Sequence, residues 1–407
     1  MAKINFDNCK SVVCVGDDCS ACGACSVVCP TQSIQFLFST ELGNYQISID
    51  EQLCVNCGKC LSVCPVKVND VGKYNGGLGD VLSVHSSYCK DVEIRKQAAS
   101  GGFITGFLCA LMEADIIDGV LLAKRTMVRG QSYMAKTIDE IIASKGSIYA
   151  PVDYSQGLKD LFSTECKKIA VVGLPCQIQA VSNMENMSQK IASKSVLKIS
   201  LVCGKTPSEY AYKYIAKVSD FDYNDIHSVK NRGNGWPGFL EIKYKNGRFQ
   251  VPYGDKLSMG GVLSSPFLCR RGCLSCMDGV GLSSDIAVCD AWLPQYKSQS
   301  SEGWNLVLVK TERANLYLKN ENINNWLLLQ SETIPNFIKA NRRVIEKATV
   351  GNSLRLKANK VWSNERCKSI KNVLYVSLLK ILVPLVKPKN FSFVQLYLGK
   401  MINKLKD

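Results

Sequence analysis

The sequence predicts two unlike folded parts and a tail: a small cysteine-rich α+β unit, a larger mixed α/β body, and a basic helical segment at the C-terminal end. Three observations carry this expectation. Cysteine falls into two identical quartets near the start, short apolar runs of buried-strand type alternate with helical patterns beyond residue 80, and positive charge gathers at the end. At 407 residues the chain is long enough for two or three domains with a proper core. The expected spans are 10–75 for the cysteine-rich unit, 80–165 and 166–335 for the two parts of the body, and 336–407 for the tail.

The first quartet is Cys19, Cys22, Cys25 and Cys29, followed by Pro30; the second is Cys54, Cys57, Cys60 and Cys64, followed by Pro65. Both read C-x2-C-x2-C-x3-C-P. Three thiolates at that spacing bend around one corner of an iron-sulfur cube, and the fourth reaches across to the other cube. The halves are therefore interlocked. One 4Fe-4S cluster is expected on Cys19, Cys22, Cys25 and Cys64, and the other on Cys54, Cys57, Cys60 and Cys29. The stretch resembles the bacterial two-cluster ferredoxins, with no ligand missing. Disulfides or zinc ribbons are the plainer readings, but zinc does not explain eight cysteines in two identical quartets, each closed by proline. Cys9 and Cys14 fit neither spacing and receive no role.

Thiolates at this density require a reducing compartment. Met1 to Lys10 has no apolar core of a secretory signal, so the expected location is cytoplasmic. Only two histidines occur, His85 and His227, which argues against a histidine-ligated metal site or a Ser-His-Asp hydrolase. The chemistry must come from a cofactor. Of the formal charge of +15, +10 lies between Arg355 and Asp407, so the body is nearly ordinary and nucleic acid is not the expected partner. The tail includes Val373-Leu-Tyr-Val-Ser-Leu-Leu-Lys-Ile-Leu-Val383, too short to span a bilayer alone, and an apolar face among lysines suits a peripheral contact with an anionic membrane.

In chain order, Tyr45 to Ile49 alternates as a short strand joining the two cysteine halves, and the glycines of Asn75 to Gly79 read as a linker. Ser100, Gly101 and Gly102 open a helix, followed by a strand from Gly119 to Ala123. A helix start with two glycines lets backbone N–H groups approach an anion, while a plain N-cap explains the same residues. Ile169 to Gly173 and Leu197 to Val202 are buried-strand runs, each ending at a cysteine, Cys176 or Cys203, before a helix near Gln177 or Pro207. If these strands are parallel neighbours, both cysteines lie at the carboxyl edge of one sheet, where open α/β folds place ligands; a small buried hydrophobe is the ordinary fate of a lone cysteine.

Asn231 to Gly238 is a glycine-rich loop carrying Arg232 and Trp236, either a long connector or a lid. Leu240 to Lys245 and Arg248 to Val251 flank Asn246-Gly247 as a hairpin. Cys269, Cys273 and Cys276 then fall within eight residues. A C-x2-C pair supplies two ligands of a cluster, with Cys176 and Cys203 as the obvious further donors; spacing alone leaves a zinc ribbon and a redox disulfide open.

Ser100-Gly-Gly, Val172-Gly-Leu-Pro-Cys-Gln-Ile-Gln-Ala180, Val202-Cys-Gly204, Cys273-Leu-Ser-Cys276 and Ser284-Asp-Ile-Ala-Val-Cys-Asp-Ala-Trp292 occur in an order that resembles the beta subunit of coenzyme F420 hydrogenase and dehydrogenase, including its 7-hydroxymethyl chlorophyll a reductase branch, over about residues 10 to 330. The resemblance implies that the body binds FAD and a third 4Fe-4S cluster. It places that cluster on Cys176, Cys203, Cys273 and Cys276, and the flavin phosphates on Ser100, Gly101 and Gly102. Cys269 is an extra candidate ligand, and Cys289 stands where the family often has glycine.

An oxidoreductase follows in which electrons from the ferredoxin clusters pass the third cluster, collect on FAD and leave to an organic small molecule. Its donor or acceptor protein would be ferredoxin-like. The alternative is an electron-transfer subunit that feeds a partner enzyme. No residue identifies the substrate or a proton donor.

Overall fold

In the computed structural model residues 15–16, 18–66, 77–262, 268–299 and 301–346 are described. The cysteine-rich unit is a hairpin of β1 (Ile34–Ser39) and β2 (Asn44–Ile49) with a short helix from each half, Ala24–Val28 and Lys59–Ser62. The sequence repeat is also a backbone repeat. Ala21 and Asn56 take φ of 49° and 53°, and Gly23 and Gly58 take 79° and 74°, so each quartet turns through the same left-handed loop before its helix. Such φ values favour glycine and asparagine.

The body is built on one nine-stranded sheet. Its strands are β3 (Ser83–Cys89), β4 (Gly119–Thr126), β5 (Arg129–Ala135), β6 (Val152–Asp153), β7 (Lys168–Gly173) and β8 (Ser195–Leu201), then β12 (Ile286–Asp290), β13 (Asn305–Val309) and β14 (Leu327–Glu332). A smaller sheet holds β9 (Ile226–Lys230), β10 (Phe239–Tyr244) and β11 (Gly247–Pro252). The large sheet has the order β14-β3-β13-β12-β8-β7-β4-β5-β6. The expectation that the strands before Cys176 and Cys203 are parallel neighbours holds: β7 and β8 pair from Lys168↔Ser195 to Gly173↔Ser200. β4 and β12 extend the parallel centre on either side. β3, from the first part of the body, lies between β13 and β14 from the second, so both parts share one sheet.

Apolar residues of the central strands sort to two faces, as a period of two requires. Val120, Leu122, Ala170, Leu197 and Ile199 meet helix Phe103–Glu113 on one face. Leu121, Ile169, Val171 and Val196 meet helices Ser155–Ser163 and Pro175–Met187 on the other. Ala24, Val28 and Val63 of the cysteine-rich unit join that second cluster. The unit is thus seated on the body through shared apolar core, and a cut near residue 75 would expose this face to water.

Local sequence accounts for the helix starts. Pro175 occupies the first turn, where its missing N–H and fixed φ suit a helix, and the Gln177 side chain accepts from the Leu174 N–H at 2.8 Å. The helix therefore begins slightly before Gln177, whereas the one expected near Pro207 begins at Tyr210. In the hairpin, Tyr244 pairs with Gly247, so Lys245 and Asn246 form the turn, one residue earlier than Asn246-Gly247.

Residues 334–346 are helical and contribute buried Phe337, Asn341 and Ile345 to the body, so the span assigned to the tail from 336 begins inside the core. Residues 372–406, Cys9, Cys14 and part of the glycine linker lie outside the described residues. Among the described residues no helix is long and apolar enough to cross a membrane.

Candidate metal centres

Each quartet turn brings its thiols inward. Cys22, Cys25, Cys60 and Cys64 are buried, Cys19, Cys29 and Cys54 half-buried, and Cys57 exposed. Burial, then Cys64 and Cys19, push the Cys22 thiol up to about 12. Burial and the charges of Cys22, Cys19, Cys64 and Cys60 hold Cys25 well above its ordinary value. The structure thus brings Cys19, Cys22, Cys25 and Cys64 together, the first expected set. Cys29, Cys54, Cys57 and Cys60, the second set, line one small cavity with Ile34 and Ile49. Burial acts to raise Cys29, but hydrogen bonds with Ser33 and Thr31 outweigh it and bring the thiol down to about 7.

So many thiols cannot all ionise at close quarters without a cationic centre to compensate them, which is the service metal coordination provides. Among the described residues no three His, Cys, Asp or Glu side chains converge on a single metal ion. One zinc ion draws its sulfurs to about 2.3 Å from a common centre; a 4Fe-4S cube takes one thiolate on each of four separated irons. The spacing of the two quartets matches the second demand.

A third thiol group lies where the parallel strands end. Cys176 stands in the first turn of helix Pro175–Met187, and Cys203 follows β8 with its N–H donated to the Gly279 carbonyl at 2.8 Å. Burial first, then Cys276, Cys22 and Cys203, push the Cys176 thiol well above its ordinary value, and Arg270 opposes the shift. Cys273 Sγ accepts from the Thr206 N–H at 3.4 Å, as Cys19 Sγ does from Ala21. N–H groups aimed at sulfur favour the thiolate and tune any metal it holds. Cys269 lies on the same loop, buried, and bridges to Pro207.

The sequence reading passed over Arg270. Its guanidinium is buried, donates to the Ser20 carbonyl, and opposes the rise that burial imposes on the thiols of both Cys19 and Cys176. It stands between the first quartet and the third group. The run Cys269-Arg270-Arg271-Gly272-Cys273 held the signal, a charged pair packed among cysteines.

The flavin-phosphate expectation for Ser100, Gly101 and Gly102 meets a different geometry. Ser100 Oγ donates to the Trp304 carbonyl at 2.6 Å, Gly101 accepts from the Cys89 N–H at 2.7 Å, and the Phe103 N–H donates to Asn305 Oδ1 at 3.1 Å. All three residues are buried. A Cβ on Gly101 would stand 2.8 Å from the Ser87 carbonyl. These glycines serve a close approach between β3, β13 and the helix, and these polar groups are spent on the chain itself.

The loop from Asn231 to Gly238 is pinned to β12. Arg232 donates through both terminal nitrogens to Asp290 at 2.8 Å, and Trp236 Nε1 donates to the same carboxylate at 2.7 Å. Tyr253 and Trp292 face the guanidinium at 4.6 and 5.5 Å. The ion pair more than offsets burial and holds the Arg232 guanidinium above its ordinary value.

Fold and thiol groups together define an iron-sulfur redox protein in which a two-cluster ferredoxin unit is built onto a mixed α/β body. Models of the coenzyme F420 hydrogenase/dehydrogenase beta subunit match residues 84–159 for its N-terminal part and 166–333 for its C-terminal part. Two overlapping matches to 4Fe-4S dicluster domains cover residues 18–68 and 46–96. The chain belongs to the family of the coenzyme F420 hydrogenase/dehydrogenase beta subunit. It is 25% identical over 316 residues to one of the subunits of the F(420)H(2) dehydrogenase of Methanosarcina mazei, covering 74% of this chain and 81% of that one. It is 26% identical over 381 residues to an uncharacterized protein of Methanocaldococcus jannaschii, covering 84% and 98%. A solved structure of the F420-reducing [NiFe] hydrogenase complex from Methanosarcina barkeri shares the fold, with a TM-score of 0.56 and 20% identity over 71% of this chain and 95% of the other.

Proposed function

We propose that the chain is an oxidoreductase that carries electrons inward from its ferredoxin clusters, through a third 4Fe-4S cluster on Cys176, Cys203, Cys273 and Cys276, to FAD in the body and on to an organic acceptor. The observation that carries the reading is the closeness of Cys22 to Cys176, each in a different thiol group, with Arg270 acting on both groups. A relay needs neighbouring centres, and these are the neighbours. FAD is proposed from family membership and from chemistry: it supplies the exchange between one-electron and two-electron transfer. The chain's own residues do the rest. They seat the ferredoxin unit, hold the thiols in place, and set their charge balance through Arg270 and the N–H groups on sulfur.

Several relatives bear names of complex subunits, among them the beta subunit of the F420-dependent formate dehydrogenase of Methanocaldococcus jannaschii, which supports a partner protein for this chain too. The acceptor is proposed as a deazaflavin-like or other reducible small molecule.

Iron counting on the anaerobically purified full chain tests the relay. About twelve irons are expected, and Cys176→Ser should lose about four while the ferredoxin signals survive in the reduced EPR spectrum. A content near eight in the intact chain, unchanged by Cys176→Ser, sinks the third cluster. Turnover of deazaflavin or artificial acceptors by the isolated chain favours the enzyme; reduction of the centres with no turnover until a partner is added favours an electron-transfer subunit.

A further inference from the structure

Arg270 is a buried cation, 8% exposed, at the contact between the first quartet and the third thiol group. Among the described residues no carboxylate forms an ion pair with it. Its Nη1 donates to the Ser20 carbonyl, and its Nε is buried without a hydrogen-bond partner. An enclosed guanidinium with an unsatisfied nitrogen and no paired acid is costly unless other negative charge compensates it. The groups placed to do so are thiolates, since its charge acts on Cys19 of one group and Cys176 of the other.

The same residue holds the backbone at both places. Its N–H donates to the Thr206 carbonyl at 2.9 Å, and the Thr206 N–H donates to Cys273 Sγ at 3.4 Å. Its carbonyl accepts from the Cys273 N–H at 3.1 Å. At the first quartet, the Ser20 carbonyl that it grips belongs to the same peptide unit as the Ala21 N–H, which donates to Cys19 Sγ at 3.4 Å. Hydrogen bonding at that oxygen orients the peptide and strengthens its N–H as a donor to sulfur. No hydrogen bond among the described residues joins Arg270 to the second set, Cys29, Cys54, Cys57 and Cys60.

We propose that Arg270 is a positioning and charge-compensating residue shared by two iron-sulfur sites, the one on Cys19, Cys22, Cys25 and Cys64 and the one on Cys176, Cys203, Cys273 and Cys276, and that it raises the reduction potential of both. A fixed positive charge and N–H groups aimed at sulfur favour the reduced, more negative form of a thiolate-held cluster. One arginine then sets two neighbouring steps of the relay together and leaves the outer step alone. The inference rests on the third-cluster reading above.

Redox titration of the anaerobically purified full chain, followed by EPR, reads the potentials as each centre takes one electron from mediator dyes and their reductant. Arg270→Met removes the charge at similar length; it should make two of the three centres about tenfold harder to reduce, a fall of about 59 mV in each one-electron potential, with the second set unchanged. Arg270→Lys keeps the charge and should stay within about twofold of the parent. Unmoved potentials in an iron-replete Arg270→Met, or an equal fall in Arg270→Lys, overturn the proposal. Arg270→Gln is the second neutral variant should Arg270→Met lose iron. Iron lost by both neutral variants and kept by Arg270→Lys supports the need for the cation; iron lost by all three leaves Arg270 a packing residue and overturns the proposal. A parent chain with about eight irons removes the third cluster and the shared role with it, whereas about twelve irons with unmoved potentials overturn the role of Arg270 and leave the third cluster in place.

Discussion

Gly272 lies so close to Cys19 that a Cβ on the glycine would overlap the cysteine's carbonyl oxygen and stand 2.6 Å from that of Asp18. The loop carrying Cys273 and the first turn of the ferredoxin unit therefore touch backbone to backbone. Gly272→Ala must push them apart, at a cost of about 1–3 kcal/mol for overpacking. The variant should keep its iron, melt at lower temperature and lose magnetic coupling between reduced centres in EPR. Unchanged melting with unchanged coupling would show that the contact carries neither docking nor electron transfer.

Gly101 offers a sharper reading of the buried loop. Its added Cβ would meet the Ser87 carbonyl, Asn305 N and Asn305 Oδ1 at 2.8 to 2.9 Å, the first two on residues paired between β3 and β13 and the third held by the Phe103 N–H. Gly101→Ala should destabilise the body by about 1–3 kcal/mol. Any flavin deficit should track the unfolded fraction and recover when soluble protein is compared at equal foldedness. A stable Gly101→Ala protein that selectively lacks flavin would restore the phosphate role to this loop.

The parts of this chain that were legible in its sequence are those whose chemistry repeats or alternates. Two identical quartets fixed the ferredoxin unit, and the apolar runs before Cys176 and Cys203 fixed the parallel centre of the sheet, because buried parallel strands read as continuous hydrophobic stretches. β3 was not legible: Ser83-Val-His-Ser-Ser-Tyr-Cys89 is half polar, and its place between β13 and β14 depends on partners more than two hundred residues away. Arg270 stood out locally among cysteines, but its contact with the Ser20 carbonyl, 250 residues away, was not legible.

Arg232 and Asp290 tie the loop after β9 to β12 with a side-chain exposure of 1% on the arginine. Removing one partner of a buried pair leaves an uncompensated charge and costs about 3–5 kcal/mol. Asp290→Ala should therefore be poorly soluble or melt far below the parent. Combining Asp290→Leu with Arg232→Met should recover part of the loss, since neither charge then remains; thermal melting of the parent and the two variants decides, and a double variant less stable than Asp290→Ala contradicts the account.

Alkali should weaken the body through Cys89 at the end of β3 and Cys109 on helix Phe103–Glu113, both buried in the same apolar cluster. Burial pushes Cys89 up to about 11 and Cys109 up to about 12 from an ordinary 9.0. The folded form then binds more protons than the unfolded one, so the stabilisation is complete below pH 9 and is lost as pH rises toward 11 to 12. Cys89→Ala should flatten that part of the urea-unfolding profile against pH. An equal slope with and without the thiol would place the alkaline loss elsewhere.

The two ferredoxin clusters should fail in order. Cys57 is exposed, and its neighbours Leu53 and Val55 are 52% and 62% exposed, so oxidants reach the second set first. Cys22 and Cys25 are buried, Cys22 in the apolar cluster that the unit shares with the body and Cys25 in the unit's own cluster. Brief exposure of the reduced full chain to air should therefore release about four irons while one ferredoxin signal persists. Alkylation at that point, followed by peptide mass spectrometry, should label Cys54 and Cys57 ahead of Cys22 and Cys25. The sulfur left on the inner set would still be held by iron, and burial with the neighbouring thiols Cys64 and Cys19 disfavours the thiolate of a freed Cys22. Early labelling of Cys22 with Cys57 still protected would reverse the assignment of inner and outer clusters, and with it the direction in which the relay is wired.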